Sequence, residues 1–90
     1  MYYSLICYDH ENSIDKRKSI RDKHISYLNQ YKERILFAGP IMDERKTIIG
    51  SLIVIKFSTK KEVEFFSKND PYSISGLFKK VSIHLFKRVF

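Results

Sequence analysis

Gly50-Ser51-Leu52-Ile53-Val54-Ile55-Lys56-Phe57, followed at once by Ser58-Thr59-Lys60-Lys61-Glu62, is where the fold of this chain is decided. The first eight residues alternate and are β-branched, the signature of a strand. Thr59 with Glu62 three positions later is a capping box, so a helix begins there, with Val63, Phe65 and Phe66 as its apolar positions. Asn69-Asp70-Pro71-Tyr72 ends that helix, because a residue before proline avoids the helical region. Upstream, Ile35-Leu36-Phe37-Ala38 is a short apolar run stopped by Gly39-Pro40, and it reads as a second strand. Residues 41–49 between the two strands, with Asp43-Glu44-Arg45-Lys46 at their centre, read as a loop.

Working outward, Tyr2 to Asp9 reads as strand one and Asp9 to Ser13 as a polar loop. Asn12 or Ser13 is placed to cap the next element, with Asp15 in its first turn. No glycine or proline falls between Ile14 and about Arg34, and Ile20, Tyr27, Leu28 and Tyr31 keep the spacing of one helical face. Tyr72 to Phe78 reads as a short helical turn containing Gly76, and Val81 to Phe90 as the last strand. The order is βαββαβ, the split-βαβ pattern of ferredoxin-like α+β domains. Right-handed crossovers put both helices on one face of a four-stranded antiparallel sheet.

The chain of 90 residues forms one domain, 1–90, with no linker or repeat. A hydrophobic content of 43% with 14% aromatics excludes disorder. The single cysteine, Cys7, lies in an apolar run and reads as a small buried hydrophobe. No apolar stretch reaches the ~20 residues of a membrane span, no leader opens the chain, and a cytoplasmic protein is expected. The net charge of +7 is scattered rather than clustered. Twelve isoleucines and twelve lysines suit an AT-rich genome, which raises charge with no polyanion partner.

The sheet has a second consequence. Tyr3, Leu5 and Cys7 oppose Tyr2, Ile6 and Tyr8 in strand one. Ile53, Ile55 and Phe57 oppose Leu52 and Val54 in strand three. Val81, Ile83, Leu85 and Val89 oppose Phe86 and Phe90 in the last strand. A sheet apolar on both faces needs cover on both. A homodimer packed sheet to sheet is therefore expected.

The candidate chemistry centres on His24 and Asp70. The helices run antiparallel, so the first half of helix one lies beside the end of helix two, although the two residues are 46 positions apart. A carboxylate beside an imidazole fixes its tautomer and stabilises its protonated form, which makes a proton carrier. The plainer readings are a core histidine with one hydrogen bond and an Asx turn at Asp-Pro. Gly39 allows close backbone or ligand approach and Pro40 stops the ladder. Ser51 is placed to donate to an oxyanion, or is an ordinary strand-end serine. Arg17, Arg21 and His24 lie one turn apart. Arg21 reads as an anchor for a carboxylate or phenolate, or as part of a solvated face. Tyr72, which adjoins the Asp-Pro step, joins Arg21, Gly39, Pro40 and Ser51 as a substrate-binding candidate. His10 and His84 lie outside this group.

No histidine or cysteine spacing matches a metal site, and neither a dinucleotide fingerprint nor a phosphate loop is present, so no metal or cofactor is expected. Strand three lacks the Gly/aromatic pattern of RNA-recognition modules, which argues against nucleic acid as a partner. Gly-x-Ser-x-Gly is absent, which argues against a serine hydrolase. What remains is a small-molecule site on a minimal α+β domain, with His24 as a candidate proton carrier.

Lys16-Arg17 with Arg21 and His24, Ala38-Gly39-Pro40, Gly50-Ser51, Asn69-Asp70-Pro71-Tyr72 and the ending Val81-Ser82-Ile83 to Phe86-Lys87-Arg88-Val89-Phe90 occur in order along nearly the whole chain. In them the chain resembles the YciI-like (YCII-related) family of small bacterial proteins. The resemblance implies a dimeric α/β-barrel version of the ferredoxin-like fold, related in architecture to muconolactone isomerase. It also implies an active site built on a histidine and an aspartate, which by motif match are His24 and Asp70. One branch of the family resembles dehydrochlorinases of chlorinated hydroxyquinols, while most members have no assigned reaction. With His24 and Asp70 in these roles, the resemblance implies a small-molecule enzyme of unassigned reaction, working by proton transfer (isomerisation or elimination) on a cyclic or aromatic acid. The alternative is a non-catalytic metabolite-binding or accessory dimer. This chain departs from the pattern at Asp43 to Lys46, where relatives often carry a longer Gly-rich segment.

Overall fold

The computed structural model describes all 90 residues. Strand β1 spans Tyr2–Asp9, helix α1 Ile14–Asn29, β2 Ile35–Met42, β3 Ile48–Lys56, α2 Lys60–Asn69, the single turn α3 Pro71–Ile74, and β4 Phe78–Phe86. The strands form one antiparallel sheet in the order β2-β3-β1-β4, a ferredoxin-like α+β fold.

Register fixes which side chains meet. Leu5 stands opposite Ile53 on one side and Ile83 on the other, and Tyr3 opposite Ile55. Tyr3, Leu5, Cys7, Ile53, Ile55 and Phe57 form the helix-facing layer and pack with Val63 and Phe66 of α2. Tyr27, Leu28 and Tyr31 from α1 and its following turn close the same layer. The Tyr27 hydroxyl donates to the carbonyl of Phe66 at 2.9 Å and ties the two helices together. At the start of α2 the capping box is complete. Thr59 Oγ1 accepts from the Glu62 N–H, and the Glu62 carboxylate accepts from the Thr59 N–H. Caps of this kind contribute about 1 kcal/mol.

Several boundaries differ from the sequence expectation, each for a physical reason. Strand β2 does not stop at Gly39-Pro40 but runs through both to Met42. It is an edge strand, where a residue without an N–H is tolerated. The β2–β3 loop is a tight turn, with the Asp43 carboxylate accepting from the N–H groups of Arg45 and Thr47. Helix α1 ends at Asn29, and the chain turns before Ile35. Ser13 occupies the N-cap position of α1 without a capping bond, because its hydroxyl donates to the carbonyl of Glu11. Strand β4 begins at Phe78, after Gly76 has taken the left-handed conformation (φ 77°), and it ends at Phe86.

The buried residues of α1 are Arg17 and His24 rather than an apolar row. Polar groups under a helix signal a site beneath it. On the outward face of the sheet, Tyr8, Phe37 and Phe86 are exposed beside half-buried Ile6 and Leu52.

Burial pushes the Cys7 thiol up from its ordinary 9.0 to about 12, with the Asp70 and Asp9 carboxylates adding to the effect and Arg17 opposing it. The raised value keeps the thiol neutral in the folded chain while the unfolded chain ionises. Its contribution to stability is whole below pH 9.0 and is lost as pH rises toward about 12. The unfolding midpoint is expected to fall between pH 8.5 and 10.5, and Cys7→Ala to make that fall shallower. Thermal unfolding at both pH values reads this directly, and an identical slope in the variant contradicts it.

Candidate functional site

Helix α1 places Arg17, Arg21 and His24 along one side, over the start of β3. Between α1, the β2–β3 strands and α3 lies a cleft of about 360 Å³. Arg17, Arg21, His24, Gly39, Pro40, Ser51 and Tyr72 all line it, and Asp70 stands directly behind His24.

Asp70 is at once the C-cap of α2 and the N-cap of α3. The following proline holds it extended, at φ −63° and ψ 130°. Its Oδ1 accepts from the Tyr72 N–H at 2.9 Å and from His24 Nδ1 at 2.8 Å. The Asx turn and the histidine partner are therefore the same carboxylate oxygen. With that carboxylate ionised, Nδ1 must carry the hydrogen, so the neutral ring presents a bare Nε2 with no partner in the chain. Tyr72 then stacks on the imidazole, with centroids 3.9 Å apart and planes 17° from parallel. Burial raises the Tyr72 phenol above its ordinary range against the opposing charges of Arg17 and Arg21, so it stays protonated.

Of the second half of the site the sequence reading named Ser51 but not the Asp9–Arg17 pair behind it. Arg17 Nε and Nη2 donate to Asp9 Oδ2 and Oδ1 at 2.8 and 2.9 Å, a bidentate pair at the end of β1. Nη2 also donates to Ser51 Oγ at 3.0 Å. Burial works to lower the Arg17 pKa, but the bonds to Asp9 outweigh it and the net shift is upward, so the guanidinium is permanently charged. The Arg17 guanidinium carbon lies 4.6 Å from the Tyr72 ring centre, which brings both halves of the site to one aromatic ring. Because arginine only donates, Ser51 Oγ spends a lone pair on Arg17, and its own hydrogen has no acceptor in the chain. The guanidinium also acts on the Tyr72 phenol, as a charge and as a hydrogen-bond donor.

Two glycines differ in their reasons. A Cβ on Gly50 would stand 2.1 Å from the carbonyl oxygen of Cys7, so only glycine lets β3 approach β1 here and seat Ser51. A Cβ on Gly39 would meet nothing within 4 Å, so of the two reasons the sequence offered, backbone approach within the chain does not demand glycine there. Arg21 is exposed at the cleft margin and joins no ion pair. His10 and His84 lie away from the cleft, and no three histidine, cysteine or acidic side chains are placed to share a metal ion.

Arg17 carried two signals in the sequence, its spacing with Arg21 and His24 and its place in the Lys16-Arg17 motif. Asp9 carried none, because an acidic residue at a strand end looks like the start of a loop.

Comparison with known proteins agrees with this architecture. The chain superposes on 5-chloro-2-hydroxyhydroquinone dehydrochlorinase (TftG) from Burkholderia phenoliruptrix, solved in complex with 2,5-dihydroxybenzoquinone. The TM-score is 0.90 at 26% identity, covering 97% of this chain and 94% of that one. A protein from Agrobacterium tumefaciens shares the fold at 15% identity, with a TM-score of 0.57 and coverage of 97% and 92%. An uncharacterised protein of Haemophilus influenzae is 32% identical and Protein YciI of Escherichia coli 30%, each over the full length of both chains. The family model described as YCII-related domain matches residues 1–87. The chain belongs to the YCII-related domain family.

Proposed function

We propose that the cleft carries out proton transfer on a small cyclic or aromatic acid, leading to isomerisation or to elimination of a small leaving group. The observation that carries this reading is the 2.8 Å bond from His24 Nδ1 to Asp70, which leaves Nε2 as a base at the cleft wall. In the first step Nε2 takes a proton from a C–H or O–H of the guest, and the electron pair moves onto the adjacent oxygen as an enolate or phenolate. The Ser51 hydroxyl is the unspent donor that receives this oxygen, beside the fixed charge of Arg17, and donors of this kind are worth most in a site shielded from water. In isomerisation the imidazolium returns the proton to another atom of the guest. In elimination the leaving group departs with its bonding electrons and the proton passes to solvent. Asp70 and Tyr72 position the imidazole, and Arg21 anchors negative charge. Gly39 and Pro40 form the wall contributed by β2.

TftG supports the reading, since a dehydrochlorinase of 5-chloro-2-hydroxyhydroquinone removes chloride from a hydroxylated ring. The test is uptake of solvent deuterium into a panel of substituted hydroquinones and cyclic diketones, followed by NMR. His24→Ala is expected to lower the rate by about 10²–10⁴-fold, the usual worth of a positioned acid–base group. Full activity in a folded His24→Ala chain would end the proposal. A guest that binds in the cleft without exchange or turnover would leave a non-catalytic binding protein in its place.

The outward sheet face belongs to the same reading. Its exposed Tyr8, Phe37 and Phe86, beside Ile6 and Leu52, are apolar surface that a second copy would cover, giving a homodimer packed sheet to sheet. Sedimentation at micromolar concentration is expected to give about twice the mass of 10.8 kDa. A monomer would defeat this part.

A further inference from the structure

The cleft has two unlike ends. At its floor His24 and Ser51 are 6% and 4% exposed, and the one guanidinium there, Arg17, is already paired with Asp9. At its margin stand Lys18 and Arg21, both exposed, three positions apart on α1 and so on neighbouring turns of one helical face. Neither joins an ion pair: the salt bridges of the chain are Arg17–Asp9 and His24–Asp70. No acidic side chain lines the cleft at all. The walls between the two ends are apolar, with Ile14, Ile25, Leu28 and Ile48 among them. Asp15 and Asp22 share α1 with them but join neither cation in an ion pair and do not line the cleft, so the margin is its positive end. The charge of Arg21 reaches inward as far as the Tyr72 hydroxyl, whose ionisation it favours.

The floor needs no permanent anion. Its donor meets charge that develops during proton transfer, and Asp9 already balances Arg17 there. The margin is different, because two unpaired cations beside an apolar slot match a charge that the guest brings with it.

We infer that the guest is two-ended: an acidic ring or enolisable head seats at the floor, and a fixed oxyanion on a separate substituent, carboxylate or phosphate, is held between Lys18 and Arg21. The inference rests on the proton-transfer reading for the orientation of the head. It adds Lys18 to the binding residues and divides the positive charge of the site into two functions. The margin is solvated, so each exposed pair is modest, and two together are expected to give about a ten-fold preference that weakens as salt rises.

Three probes of one ring size test it by calorimetry: hydroquinone, 2,5-dihydroxybenzoate and 4-hydroxyphenyl phosphate. In the wild-type chain at low salt, one or both anionic probes should bind about ten-fold more tightly than hydroquinone, and which one does identifies the oxyanion. In the double variant Lys18→Gln, Arg21→Gln the ratio should fall to about two-fold or less, as it should in the wild type at high salt. Both positions are exposed, so the variant is expected to fold, and the ratio of affinities within one protein corrects for any change in the amount folded. Equal binding of all three probes by the wild type, or a preference that survives in the double variant, overturns the inference. Ser51→Ala separates this failure from that of the underlying reading. If hydroquinone binds, is weakened by Ser51→Ala and gains nothing from an anionic group, the floor stands and only the two-ended guest falls. If no probe binds or disturbs the NMR signals of His24, both fall.

Discussion

One oxygen of one buried carboxylate, Asp70 Oδ1, organises this small protein's site. It caps the turn that follows α2 and it fixes the imidazole of α1, over a separation of 46 residues. Pro71 makes this possible by holding Asp70 extended, so that the carboxylate turns back over its own helix end toward α1. The side chain is only 3% exposed. Removing either partner would strand a buried polar group, which is costly, so the same bond serves packing and chemistry.

The other half of the site is held by a second buried carboxylate. Asp9 grips Arg17 at the end of β1, Arg17 reaches Ser51 at the start of β3, and Gly50 lets those strands come close enough for the reach. Tyr72 lies against both halves, stacked with His24 and in contact with the Arg17 cation. A base and an oxyanion donor thus face one cleft while each is fixed from behind. Catalytic groups need this support, because small displacements lower rates steeply.

Much of the fold was legible because its signals are local. The alternation of Leu52 to Phe57, the Thr59–Glu62 cap and the Asp70-Pro71 stop each act within a few residues. The double-sided apolar pattern of β1 and β3 was equally readable. Boundaries failed where tertiary position overrules local preference. Pro40 is tolerated because β2 is an edge strand, and edge position is not written in the residues nearby. His24 and Asp70 were findable as a pair, but not for the reason expected: α1 ends at Asn29, so His24 stands in its second half, and it meets Asp70 where α2 gives way to α3. Asp9 was not, since its partner lies across a loop and its neighbours mark it only as the end of a strand. Helix α1 is the instructive case: its buried face carries Arg17 and His24 where an apolar stripe would ordinarily lie, so the position most informative about function is the one where hydrophobic periodicity is weakest.

Every chemical step assigned to this cleft requires the Asp70 bond to place the ring hydrogen on Nδ1 of His24. Long-range proton–nitrogen NMR of the unliganded protein, at a pH where the ring is neutral, reports that tautomer without any substrate. The account predicts hydrogen on Nδ1 and a bare Nε2, with the preference lost in Asp70→Asn. Hydrogen on Nε2 in the native chain would contradict it.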